Sequence, residues 1–257
     1  MPPADVSGPD IWATLRATTR ARIGLGRVGD ALPLHEVLSF QLAHARARDA
    51  VHSALDIDAL ARDLAPLPTV EVRSAAPDRT AYLRRPDLGR VLEPACRGAL
   101  AAAKPPEGGW DIVFVAADGL SPLAVQQHAG PIVRACLARL PGWSAAPVVI
   151  ATQARVALGD EIGEALGARF CVMLIGERPG LSVANSLGVY LTYRPKVGRR
   201  DSERNCISNI HEHGSSYEGS SDLLAWLVTE ASRLKLTGVE LKDDRGAIGS
   251  TATARID

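Results

Sequence analysis

The pattern of apolar and polar positions changes character near Leu67. Before it, Trp12, Leu15 and Ile23 recur at helical spacing behind Asp10, a residue suited to an N-cap, and predict a helix over 11–22. A glycine-rich segment, Gly24 to Gly29, ends that helix. Pro33 then stands where a first helical residue fits. Leu34, Val37, Leu38 and Leu42 form an apolar face against polar Arg46, Arg48 and Asp49, predicting a second helix over 33–52. A third, short helix is predicted over 58–64.

Beyond Leu67 the period shortens. Residues 69–74 alternate as a strand does, and apolar runs bounded by turn formers follow at 111–117, 147–152, 169–175, 189–193 and 205–210. Helical stretches are predicted over 84–104, 122–140, 160–166 and 221–236. Near-continuous apolar strands alternating with helices predict an α/β fold, a mainly parallel sheet with helices on both faces. The chain thus divides into a helical section over 10–66, a sheet domain over 67–244 and a loose, Gly-, Ala- and Thr-rich tail over 245–257.

Composition narrows the function classes. The 257 residues are 46% apolar, enough to bury a proper core, and 29 basic residues balance 29 acidic ones. A zero net charge argues against general affinity for nucleic acid or anionic membranes, which runs on excess Lys and Arg. Aromatics, at 4%, form no stacking platform, and no apolar run reaches the ~18 residues of a membrane span. Residues 1–10 are short, Pro-rich and acidic, unlike a signal peptide. Cys96, Cys136, Cys171 and Cys206 show no zinc-site spacing and make a disulfide scaffold improbable. The expectation is a reduced, cytoplasmic protein with no metal site.

The literal G-x-G-x-x-G at Gly24-Leu-Gly26-Arg-Val-Gly29 invites a nicotinamide reading, as a stand-alone Rossmann-like oxidoreductase using NAD. That motif works when it follows a strand and opens a helix. Here an amphipathic helix precedes it, so a helix-terminating turn is the better reading. His44, Arg48 and His52 lie four apart on one helical face, and His211-Glu-His213 places two imidazoles together. Neither set offers the carboxylate or third ligand a metal would need, and solvated or loop roles are favoured. Position says more. In an open parallel sheet ligands bind beyond the carboxyl ends of the strands. Polar, turn-rich segments stand at such ends: Asp118–Ser121, Gln153–Val156, Gly176–Leu181 and a fourth, Arg204–Asn209. Their convergence predicts one shared pocket.

At these residues the chain resembles the small (light) subunit of ethanolamine ammonia-lyase, from about Asp10 to Lys242. The likeness rests on the order and spacing of Ala21-Arg-Ile-Gly-Leu-Gly-Arg27, Arg85-Pro-Asp-Leu-Gly-Arg90, Asp118-Gly-Leu-Ser121, Gly159-Asp-Glu-Ile-Gly-Glu164, Ile175-Gly-Glu-Arg-Pro-Gly-Leu181 and Arg204-Asn-Cys-Ile-Ser-Asn-Ile210. The resemblance implies a Rossmann-like domain preceded by a small all-helical N-terminal domain. It also implies a subunit of an adenosylcobalamin enzyme that turns ethanolamine into acetaldehyde and ammonia by a radical route. The cofactor, base-on, would lie between this chain and a large TIM-barrel subunit that carries the catalytic residues, so none is assigned here.

Cofactor contacts carry over to Val156, Glu177 and Cys206, with Arg155, Arg178 and Asp118 expected nearby. A backbone-rich loop, a carboxylate and a small buried thiol suit the amide arms of a corrin. No Asp-x-His-x-x-Gly stretch exists to supply a histidine to cobalt. Several relatives carry an N-terminal extension linked to a bacterial microcompartment. Only about nine residues precede the first helix here, so a cytoplasmic location is the expectation, with a bacterial microcompartment kept as the alternative although that extension is missing. A binding or assembly protein that has lost cobalamin is the remaining alternative.

Overall fold

The computed structural model describes residues 10–103, 107 and 109–243. Three helices come first, α1 (Ala13–Thr18), α2 (Leu34–His52) and α3 (Ile57–Leu64). Helix α1 is shorter than its pattern predicts and is capped at Trp12, not Asp10, whose carboxylate accepts the Trp12 N–H at 3.1 Å just ahead of it. Asp56 caps α3 by accepting from the Ala59 N–H. Leu60 and Leu64 of α3 are fully buried, each worth ~1.5–3 kcal/mol, and join the main core, whereas the 19 residues of α2 bury only Ala50. Thus α3 is held by the body of the protein and α2 lies largely uncovered.

Six strands follow: β1 (Thr69–Arg73), β2 (Ile112–Ala117), β3 (Val148–Thr152), β4 (Phe170–Gly176), β5 (Leu187–Tyr193) and β6 (Asn205–Ile210). They form one sheet in the order β1-β3-β2-β4-β5-β6. The first four in that order are parallel, but β5 runs antiparallel to both β4 and β6. The sheet is therefore mixed: β1, β3, β2 and β4 form the predicted parallel set, and β5 departs from it. The cause is the β4–β5 link, residues 177–186, which contains no helix; a parallel crossover needs a dozen or more residues.

Helices α4 (Arg79–Arg84), α5 (Arg97–Ala102), α6 (Pro122–Ala138), α7 (Leu158–Leu166) and α8 (Tyr217–Leu234) complete the fold. The helix predicted over 84–104 is broken into 3-10 turns at Leu88–Arg90 and Pro94–Cys96 before α5 begins. Pro86 and Pro94 cannot continue a helix, which accounts for the break. Alternate residues of β2 serve opposite layers. Ile112, Phe114 and Ala116 face α3, α6 and α8, while Val113, Val115 and Ala117 face α5 and α7. The tail over 245–257 lies outside the described residues. Among the described residues no helix is long and apolar enough to cross a membrane.

Candidate functional site

Strands β2, β3 and β4 end side by side. After β2 the chain leaves through α6 to one face, and after β3 it leaves through α7 to the other, which opens a crevice at the strand ends. A cavity of about 430 Å³ lies there, walled by Leu120, Val156 and Ile175 and edged by Arg155, Glu177, Arg178, Tyr82 and Tyr190. Two glycines allow the strand ends to close up. Gly119 has φ +55°, and a Cβ there would sit 2.3 Å from the Gly176 oxygen; a Cβ on Gly176 would sit 2.1 Å from the Ser121 oxygen.

The floor is organised around Asp118, which is 3% exposed. Its carboxylate accepts the Gln153 N–H at 2.8 Å and the Ala154 N–H at 3.0 Å, and pairs with Arg79 at 3.5 Å. Burial pushes this carboxyl up from the ordinary aspartate value, and those three partners oppose the rise. Tyr82 is fully buried between two guanidinium groups, Arg155 at 4.3 Å and Arg79 at 4.8 Å from the ring centre. Burial raises its hydroxyl to about 12, so it stays a donor, giving its proton to the Ala154 carbonyl at 3.1 Å.

On the opposite rim Glu177 accepts from the Ser186 hydroxyl at 2.5 Å and from the Asn209 N–H at 3.3–3.4 Å. That N–H is free to do so because the β5–β6 ladder slips at a bulge and Asn209 takes φ +63°. Cys206 pairs in register with Tyr190 and shares a hydrogen bond with its hydroxyl. Partial desolvation raises both groups, the thiol being covered by Tyr190 although its residue lies on an exposed edge, so the thiol and phenol stay protonated.

Val156 and Glu177 line the crevice, as do Arg155 and Arg178; Asp118 lies behind it. Cys206 reaches it only through Tyr190 and is exposed on edge strand β6, correcting the expectation of a buried thiol. The segment Arg204–Asn209, where the pattern predicts a strand-end loop, is mostly β6 itself. Tyr82 and Arg79 were not foreseen, since six-residue α4 carries no apolar period; Tyr190 was hidden inside an apolar run.

The other motifs stay apart from this site. The Gly24–Gly29 segment follows α1 with no strand before it, and its glycines all take positive φ, as turns do. His44 and Arg48 are exposed, and among the described residues no group of three metal-binding side chains exists. His211–His213 forms a turn, not an extended segment, in which the His213 N–H donates to His211 Nδ1 at 3.2 Å.

Fold and site together define an α/β protein with a strand-end crevice. Residues 9–242 match the model of the ethanolamine ammonia-lyase light chain (EutC) family. The chain is 52% identical over 238 residues to an ethanolamine ammonia-lyase small subunit of Azotobacter vinelandii, covering 91% of this chain and 88% of that one. It is 51% identical over 253 residues to the small subunit of Xanthomonas campestris pv. campestris (strain ATCC 33913), covering 96% and 93%. The chain therefore belongs to the ethanolamine ammonia-lyase light-chain family and is a lyase subunit.

Proposed function

We propose that this chain is the small subunit of an ethanolamine ammonia-lyase and holds adenosylcobalamin, base-on, at the strand-end crevice, beneath a TIM-barrel large subunit that carries the catalytic residues. The observation that carries this reading is convergence: Val156, Glu177 and the Tyr190–Cys206 pair meet around one crevice at the end of the Rossmann-like parallel strands.

The donor set fits the cofactor. The Glu177 carboxylate accepts from amide N–H groups, Arg155 and Arg178 donate to amide carbonyl or phosphate oxygens, and Val156, Leu120 and Ile175 give an apolar wall. Arg155 Nε, at the same strand end, is buried without a hydrogen-bond partner. When bound, the cofactor supplies the radical chemistry that takes ethanolamine to acetaldehyde and ammonia. This chain orients it and keeps water from one side.

The partner reading is supported by the surface of α2. Leu34, Leu38 and Leu42, spaced four apart on one face of α2, are 53–70% exposed, and an exposed apolar face of this kind marks an interface. The last turn of α2 is tied to the crevice floor, because Arg79 donates both to the Val51 carbonyl and to the Gly119 carbonyl. A large subunit reaching from α2 to the crevice would engage both.

The test is co-expression with the large subunit encoded in the same genome, assayed for adenosylcobalamin-dependent acetaldehyde release. Activity only from the pair is the expected result; cofactor-independent activity, or none with a stable pair, overturns the reading. Glu177→Ala should weaken cobalamin retention by the complex and leave ethanolamine recognition unchanged.

A further inference from the structure

The segment Gln153–Val156 is bound down almost atom by atom. The Gln153 carbonyl accepts the Ser74 hydroxyl at 2.6 Å, the Ala154 carbonyl accepts Tyr82, and the Arg155 N–H donates to the Gly89 carbonyl at 2.8 Å. The Arg155 and Val156 carbonyls accept from Leu158 and Gly159 at the start of α7. The N–H groups of Gln153 and Ala154 converge on the single carboxylate of Asp118. Four separate pieces of chain therefore fix four residues.

What they fix is an unfavourable conformation. Gln153 has φ +53°, a left-handed backbone that non-glycine residues rarely adopt, and its side-chain oxygen is buried without a partner. Such a residue persists only where its surroundings over-determine it, and strained positions of this kind cluster at functional sites. Its immediate consequence is directional. The left-handed turn ends β3 and redirects the chain, so that Arg155 and Val156 face the crevice and do not continue the strand.

We propose that Asp118 is a positioning residue for the cofactor site, acting by holding Gln153 in the left-handed conformation that presents Arg155 and Val156. The proposal rests on the cobalamin reading above and adds a residue that touches no cofactor itself. Asp118 is suited to the task because it follows β2, which is flanked on both sides by parallel strands, and is anchored by its own N–H to the Ala151 carbonyl at 3.1 Å.

The test uses the assembled two-subunit complex, titrated with adenosylcobalamin and followed by corrin absorbance and by retention through gel filtration. Gln153→Gly keeps access to positive φ and should bind within about twofold of wild type. Gln153→Val closes that region to the backbone and should bind on the order of tenfold more weakly while the complex still assembles. Asp118→Asn should show a similar loss, and adding Gln153→Gly to it should restore most of the affinity, because glycine takes the turn without being held. A purely structural role would lower Tm with no rescue of binding by glycine, and that result overturns the proposal. Equal binding by the Gly and Val variants, or equal loss in both, overturns it as well, whether or not Asp118→Asn is soluble. A wild-type complex that takes up no cobalamin overturns the cofactor reading itself, and this proposal with it.

Discussion

The Arg204 guanidinium grips the Asp160 carboxylate through two parallel hydrogen bonds of 2.6 and 2.7 Å, with both side chains only 3% exposed. The same guanidinium donates to Thr192 Oγ1 and to the Arg199 carbonyl. Asp160 lies in the first turn of α7, just after Val156, and Arg204 immediately precedes β6, which carries Cys206. One buried ion pair therefore ties the start of α7 to the start of β6. Removing one partner strands a buried charge, at a cost of about 3–5 kcal/mol, whereas replacing both with apolar residues is far less costly. Arg204→Met should lower the free energy of urea unfolding by that amount, and Arg204→Met combined with Asp160→Leu should recover a large part of it. Strictly additive losses in that double-mutant cycle would show that the pair is not coupled.

Gly176 makes the closest backbone approach in the crevice. A Cβ there would meet the Ser121 carbonyl oxygen at 2.1 Å and the Asp118 oxygen at 2.7 Å, both rigid backbone atoms. Gly176→Ala should therefore part the ends of β2 and β4, cost about 1–3 kcal/mol and lower Tm by roughly 2–12 °C. Cobalamin retention should fall with it. Gly180→Ala is the matched control, since its Cβ would meet only the Val183 oxygen at 3.4 Å. Similar melting curves for the two variants would refute this account.

Much of the frame was legible because the strands are apolar runs of the right length, and the site because Asp118, Gln153 and Glu177 follow such runs directly. Strand direction was less accessible. Nothing in the run over 189–193 distinguishes an antiparallel strand from a parallel one, and only the helix-free link before it reveals the hairpin. The contributions of Tyr82 and Arg79 depend on α4 folding back against the β2 and β3 ends, a tertiary arrangement with no local period. Cys206 came from the family likeness alone; in the chain it sits on an edge strand whose outward residues are simply polar.

Leu38 and Leu42 project from α2 without burial, 54% and 53% exposed, so replacing them should leave the isolated chain's stability within about 0.5 kcal/mol. Against a large subunit the same changes should be severe, because a carboxylate would be buried in an apolar contact. Leu38→Glu with Leu42→Glu should abolish co-purification with the large subunit while circular dichroism and Tm of the free chain stay as in wild type. Normal assembly by this variant would remove α2 from the interface. A free wild-type chain that is dimeric, and becomes monomeric on substitution, would assign the face to self-association instead.

His128 gives the chain a pH dependence whose direction follows from its two contacts. Buried at 5% exposure, it lies 3.0 Å from the Asn185 carbonyl through Nε2 and 2.7 Å from the Tyr217 hydroxyl through Nδ1. A carbonyl can only accept, so Nε2 carries the proton and Nδ1 accepts from Tyr217. A second proton would displace that bond and bury a charge, and burial accordingly holds the imidazole below the ordinary value of 6.5. The unfolded chain takes up a proton near 6.5 that the folded chain refuses. Stability is therefore full above that pH and lost progressively as pH falls toward and through the depressed folded value. Asn185 neighbours Ser186, whose hydroxyl holds Glu177, so acid should loosen the crevice rim as well. Urea midpoints and cobalamin retention should both fall between about pH 7.5 and 5, and His128→Gln should flatten the stability curve over that interval. A variant curve parallel to wild type would place the titration on another group, with His211, also depressed by burial, the next to replace.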